Sequence, residues 1–296
     1  MELLVSILSG LLAIGTSVNF IGDVLLKNKI RSQVEEVETI AIRIDNAPNY
    51  QIFDGKVQRV RIATRDLKIN PEVQFKVLEF DIDRIDFDLK EFLEGDLVLD
   101  LDEEIPTIRL RQLFQQPLKM ATRIVFTQEQ LDSILKSPTI NAPLSERLTV
   151  ILKSVAKSNE EFVVSQFQLD LLDNERVALR MKIIDLERED RGEIDVDLEL
   201  GVKVVAGHSF QFFDPKIWID GVPEPAEKEI EVDRVIARPL TFKVLEELGI
   251  KIRILQLNSS QDELEFAALI GIDEFAASAL LEATIFSETL ELLLEQ

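Results

Sequence analysis

The chain has 296 residues, 46% of them hydrophobic, which is enough for a continuous core in one large domain or two ordinary ones. Acidic residues outnumber basic ones 55 to 33, for a formal charge of -22, so nucleic acid is a poor partner because any basic patch would work against a repulsive field. The absence of cysteine excludes disulfides, thiolate metal sites and a cysteine nucleophile, and leaves one histidine, His208, for imidazole chemistry.

The first element is "LLVSILSGLLAIGTSVNFIG" between Glu2 and Asp23, twenty residues without a charge or a proline. As a helix it would be about 30 Å long, the hydrocarbon thickness of a bilayer. Glu2 stands where a secretory signal carries basic residues, and Lys27, Lys29 and Arg31 follow the segment, so the segment reads as uncleaved. Three readings stay open: a helix packed in its own domain, a surface anchor, or a span that leaves the rest of the chain on the cytoplasmic side. The pattern continues through "DVLLKNKIRSQVEEV", which sets a first unit at residues 1–36.

From Val37 onward the apolar residues alternate with polar ones. In "RIDNAPNYQIFDGKVQRVRI" two such runs flank a segment with Asn46, Pro48, Asn49, Asp54 and Gly55, a strand pair with its connection. Phe80 and Ile82 alternate, then Ile85, Phe87 and Leu89, with a phase slip at Asp83 and Arg84 that marks a bulge or sharp bend. Leu97, Leu99 and Leu101 follow, and after them the runs centred on Leu169, Leu179, Leu198, Ile252 and Ala268. Connections such as "LDNER", "EDRGE" and "NSSQDE" are too short for crossover helices, so the sheet is antiparallel.

Between these strands, "VFTQEQLDSILKSP" predicts a helix capped by Thr127 with Gln130 reaching back, Phe126 and Leu131 as a hydrophobic staple, and Pro138 as its stop. "PLSERLTVILKSVAKS" predicts a second helix and "PLTFKVLEELGI" a third that ends at Gly249. A C-terminal amphipathic helix fills 273–296, leaving 37–272 as a single α+β domain without a linker.

No catalytic constellation accompanies these elements. His208 has no nucleophile motif or metal spacing near it and reads as a turn histidine. The acidic runs "DIDRIDFDL" and "DLVLDLDEE" lack the glycine and terminal glutamate of a calcium loop, so they read as the wet face of a sheet. We expect no metal, no cofactor and no enzymatic activity.

The helix leading into "VEEVETIAIRIDNAPNYQIFDGKVQRVRIATRDL", then "LEFDIDRIDFDL" and "QQPLKMATRIVFTQEQLDSIL", resembles the LmeA-like family of phospholipid-binding proteins, in its cyanobacterial type. The resemblance covers roughly residues 21–268. It implies a fold similar to the tubular lipid-binding modules of bactericidal permeability-increasing protein, in which a long, strongly curved antiparallel sheet wraps a helix and leaves an apolar groove. It also implies a non-enzymatic phospholipid-binding or lipid-transfer protein at a membrane surface; the bases that follow the apolar segment put it on the cytoplasmic face, of a thylakoid or plasma membrane in a cyanobacterial source. In such a groove Phe80, Ile82, Leu169, Leu198 and Ile252 are candidates to face acyl chains. Lys27, Lys29, Arg31, Arg43, Lys56, Arg59, Arg61, Arg65 and Lys68 are candidates to dock on anionic lipid, against the plainer reading of a solvated hairpin paired with nearby acids. The alternative function is an assembly protein that binds a membrane protein complex through its apolar terminal helices.

Removal of residues 1–20 is expected to shift the protein from the membrane fraction to the soluble fraction with cooperative unfolding intact. Aggregation of the truncated chain would assign the segment to the core instead.

Overall fold

The computed structural model describes residues 27–47, 54–86, 114–149, 162–185, 193–236 and 240–276, apart from isolated positions within them, together with residue 51 and two-residue strands at 99–100 and 107–108. The elements run β1 (Glu36–Asp45), β2 (Lys56–Lys68), β3 (Gln74–Asp86), β4 (Leu99–Asp100), β5 (Thr107–Ile108), β6 (Leu118–Thr127) and α1 (Gln128–Lys136). They continue with β7 (Phe162–Leu172), β8 (Arg176–Asp185), β9 (Glu193–Val205), β10 (Ser209–Ile219), β11 (Val222–Pro223) and α2 (Ala226–Ile236). Then come β12 (Leu240–Thr241), a 3-10 helix (Phe242–Leu248), β13 (Ile250–Ser259) and β14 (Glu263–Ile272).

Every pairing among the described strands is antiparallel, as the short connections require. The strands form two large open sheets, not the one long sheet expected. Sheet 1 has the order β1-β2-β3-β6-β14-β13, and sheet 2 has the order β11-β10-β9-β8-β7 with β12 paired to β10. The chain therefore leaves sheet 1 after β6, builds sheet 2, and returns to place the β13–β14 hairpin beside β6. The break lies at β13. Its register with β14 shifts between Ile254 and Gln256, and the Ile254 N–H donates to Gly207 O in the β9–β10 turn at 2.6 Å where a continuous sheet would have another strand.

The expected phase slip at Asp83 and Arg84 is present, and it is a shared bend without a bulge. Val57 pairs with Ile85 and Arg59 with Asp83 in one uninterrupted register. In both strands two exposed residues, Gln58 and Arg59 against Asp83 and Arg84, separate buried ones. The two strands therefore roll together about their common axis, and Val57, Val60, Ile82 and Ile85 all join one core. Beyond the end of β1, Asn46 replaces a strand partner. Its amide donates to Lys56 O at 2.9 Å and accepts from the Gln58 N–H at 3.1 Å.

Helix α1 has the predicted capping box: Thr127 Oγ1 accepts from Gln130 N at 3.2 Å, and Gln130 Oε1 accepts from Thr127 N at 3.0 Å. Phe126 packs on Phe75, with ring centroids 5.0 Å apart, while Leu131 is the buried residue of the helix. The second predicted helix has helical positions through residue 149, and its continuation to 158 lies outside the described residues. The third is a 3-10 helix with no buried residue, so no packed stripe holds it to the α repeat; it does end at Gly249, left-handed at φ 74°. Helix α2 was not foreseen; among its described residues Val232 is the one that is buried.

Ile30 is fully buried and Val34 partly so against the sheet 1 core, which places residues 27–34 in the fold. Residues 1–26, Phe87, Leu89, Leu97, Leu101 and most of the 273–296 helix lie outside the described residues. Among the described residues no helix is long and apolar enough to cross a membrane.

Ile82 is 0% exposed at the centre of this core. Ile82→Ala is expected to cost about 3 kcal/mol, and Thr127→Ala about 1 kcal/mol through the lost cap, both measured by urea unfolding. Equal costs would mean that the β3 face is not a packed core.

Candidate functional site

In an antiparallel ladder, residues in register share a face. One row across sheet 1 is Ile44–Val60–Ile82–Met120–Ile270–Ile252, and the next is Ile42–Ile62–Phe80–Thr122–Ala268–Ile254. In sheet 2 the corresponding row is Leu169–Leu179–Leu198–Ile217. The two apolar faces meet where the Phe210 ring sits 6.2 Å from Phe266 and edge-on to Phe242 at 5.7 Å. Elsewhere Gln128 clasps the edge of β7. Its amide donates to Leu169 O at 2.6 Å and accepts from Leu171 N at 2.7 Å, as a neighbouring strand would.

The five candidate lipid contacts therefore divide between the sheets, with Phe80, Ile82 and Ile252 in sheet 1 and Leu169 and Leu198 in sheet 2. Ile82 is enclosed by protein, while Phe80 and Leu198 are partly buried against the two packed clusters. Leu169 and Ile252 are half-buried on the same apolar faces and belong to neither cluster.

On the opposite face of sheet 1, the candidate docking bases are mostly neutralised. Arg43 pairs with Asp45 at 2.7 Å, and Arg61 reaches the same carboxylate. Arg59 Nε donates to Asp81 at 2.7 Å, Arg65 to Glu79 at 2.8 Å, and Lys68 pairs with Glu35 at 2.9 Å. The hairpin is thus a charge-matched surface, as the plainer sequence reading had it. Lys27, Arg31 and Lys56 make no ion pair among the described residues, and Lys29 lies outside them.

Two grooves open on this face. One, of about 490 Å³, has Ala41, Ala63, Ala121 and Ala267 along its floor and the paired Arg61 and Arg123 beside them. The other, of about 910 Å³, runs from Arg59 and Asp83 past Lys119 to the Ala206–His208 turn. Lys251 and Arg253 line it too, and neither these two nor Lys119 has an ion-pair partner among the described residues. Positions 119, 251 and 253 are far apart in the chain and converge only through the β6–β14–β13 ladder, so no local pattern announces them. His208 closes one end, with Nδ1 2.7 Å from Ser209 Oγ.

The ion pairs have a pH signature with two signs. The Arg61 and Arg43 guanidiniums hold Asp45 below the ordinary aspartate pKa, and Arg59 does the same for Asp81. Their stabilisation is present above the ordinary value, about pH 4, and is lost as pH falls through the lowered one. Glu38 behaves oppositely. Asp66, which faces it across β1–β2, hydrogen-bonds and repels it, raising its pKa, so the pair costs stability at neutral pH and the cost is relieved on acidification. Asp45→Asn with Asp81→Asn is expected to lower Tm at pH 7 but not at pH 2, and Glu38→Gln to raise Tm at pH 7 but not at low pH. Parallel Tm curves for the wild type and either variant would contradict the assigned pairs.

A search of curated proteins finds no match to the chain. A model of the LmeA-like phospholipid-binding family matches residues 23–268, from the helical turns before β1 into β14. The chain belongs to the LmeA-like family of phospholipid-binding proteins.

Proposed function

We propose that the protein is a non-enzymatic lipid-binding or lipid-transfer protein that holds phospholipid acyl chains against the apolar faces of its two sheets, at the cytoplasmic surface of a membrane. The observation that carries this reading is the incomplete packing of those faces. Leu169 and Ile252 stand in apolar rows without joining either core, on faces that are continuous through Phe210 and Phe266. Each acyl methylene buried there contributes about 0.8 kcal/mol, so affinity does not depend on recognition of a charged group. The two sheets, clasped at Gln128 and Gly207, suit a tubular module like that of bactericidal permeability-increasing protein, with a helix and the acyl chains inside. Membership of a phospholipid-binding family supports the class of ligand.

Protein purified without detergent is expected to yield phospholipid on solvent extraction and mass spectrometry. Leu169→Asp and Ile252→Asp, made separately, should each lower the lipid-to-protein ratio several-fold, because a carboxylate beside hydrocarbon must be desolvated. Gln166→Asp, exposed on β7 and in register with Lys182, should retain the lipid. Thermal unfolding reports whether each variant is folded. A lipid-free wild type, or full retention by folded Leu169→Asp and Ile252→Asp, would reject the proposal.

A further inference from the structure

The 910 Å³ groove combines unpaired cations with exposed apolar side chains at its rim. Lys119, Gly271 and Lys251 form one row across β6, β14 and β13. Neighbouring strands lie about 4.8 Å apart, so the two lysine Cα atoms are about 10 Å apart. The residue between them has no side chain, and a Cβ built on it would meet nothing closer than the Lys251 Cβ at 3.9 Å. Arg253 stands in the next row on the same face, opposite Leu269. The acids that share the groove are Asp81, which is held by Arg59, with Asp83 and Glu246. In a chain of formal charge -22, three bases without carboxylate partners among the described residues, around an open notch, form a surface complementary to an anion.

The 3-10 helix leads straight into this groove, since Gly249 joins Leu248 to β13 and Glu246 is part of the lining. Val244 is 62% exposed and Leu248 64%, one helical stretch apart, while Phe242 is held beneath by the Phe210 ring. Side chains this apolar and this open, fixed to an anchored segment beside cations, match a bilayer interface: phosphates at the level of the bases and acyl tails at the level of the apolar pair.

We propose that this groove and the adjoining 3-10 helix dock the protein on a bilayer carrying anionic phospholipid. Lys119, Lys251 and Arg253 receive the headgroup phosphate, and Val244 and Leu248 enter the acyl layer. Its bases stand on the charged side of sheet 1, opposite the inner row, although Met120, Ile252 and Ile270 of that row also border the groove, and the surface deepens that reading by naming where the protein meets the membrane. It also moves docking away from the β1–β2 hairpin, whose arginines are already paired.

The test is co-sedimentation of the full chain with vesicles of phosphatidylcholine alone and of phosphatidylcholine mixed with phosphatidylglycerol. The wild type is expected to bind the mixed vesicles, less tightly as salt rises. Combined Lys119→Ala, Lys251→Ala and Arg253→Ala should weaken that binding about a hundredfold, at about fivefold per base. Val244→Ser with Leu248→Ser should weaken it as well. Lys182→Ala, Lys203→Ala and Lys216→Ala together, an equal loss of charge on sheet 2, should leave it unchanged. Equal weakening by the two triple variants, or none by the groove triple, would overturn the proposal. So would binding that inorganic phosphate displaces and that ignores Val244 and Leu248, since the site would then serve a free anion. Lipid extracted from the groove triple separates the two proposals: retained lipid with lost vesicle binding supports docking here, and vesicle binding by a wild type that carries no extractable lipid would leave docking standing and sink the inner-face reading.

Discussion

The register of the antiparallel ladders decides which side chains are inside. In sheet 1 six strands keep Ile44, Val60, Ile82, Met120, Ile270 and Ile252 in one row, so a single alternation of apolar and polar residues divides a core from a charged surface. The roll at residues 58–59 and 83–84 keeps that division while turning the sheet, because both strands change phase at the same place. A slip in one strand alone would have set Val57 or Ile85 among the carboxylates of the wet face.

The seam between the sheets obeys a second constraint, that strand-edge N–H and C=O groups need partners. Among the described residues no ladder crosses it. The Gln128 amide serves the β7 edge, Gly207 O serves Ile254 N, and Ser259 Oγ donates to Leu172 O at 3.1 Å. These point contacts fasten the sheets at their margins and leave the apolar faces between them to side chains such as Phe210 and Phe266. Apolar faces joined only at such points keep surface that the two clusters do not use, as Leu169 and Ile252 show.

What the sequence disclosed was local. The capping box of Thr127 and Gln130, the stop at Gly249, the two-residue alternation and the phase slip all act within a few positions, and all appear in the structure. The division into two sheets depends on a bulge in β13 and on which strand lies next to β6, and neither leaves a periodic trace. The acids that neutralise the basic hairpin are partly on its own strands and partly on β3, where Asp81 and Glu79 looked like any other wet-face carboxylates. Lys119, Lys251 and Arg253 were missed for the same reason: each is an ordinary polar position in an alternating strand, and only the return of the chain to β6 makes them neighbours. Helix α2 is short and rich in charge, and Val232, Val235 and Ile236 gather at its C-terminal end, too little for a periodicity argument.

The return of the chain also bears on how the molecule is made. The ladder between β6 and β14 joins ten residue pairs, from Glu263 with Thr127 to Ile272 with Leu118. A ribosome making this chain exposes β6 long before β14 exists, and during that interval β6 presents an apolar face and an unpaired edge to solvent. Sheet 2, whose long strands β7 to β10 follow one another in sequence, can assemble as it emerges, whereas sheet 1 waits for β14, the last of the described strands. Contacts of such long sequence separation form slowly, and the waiting edge is open to aggregation. Synthesis rate and chaperone supply, more than final stability, would then govern the yield of folded protein.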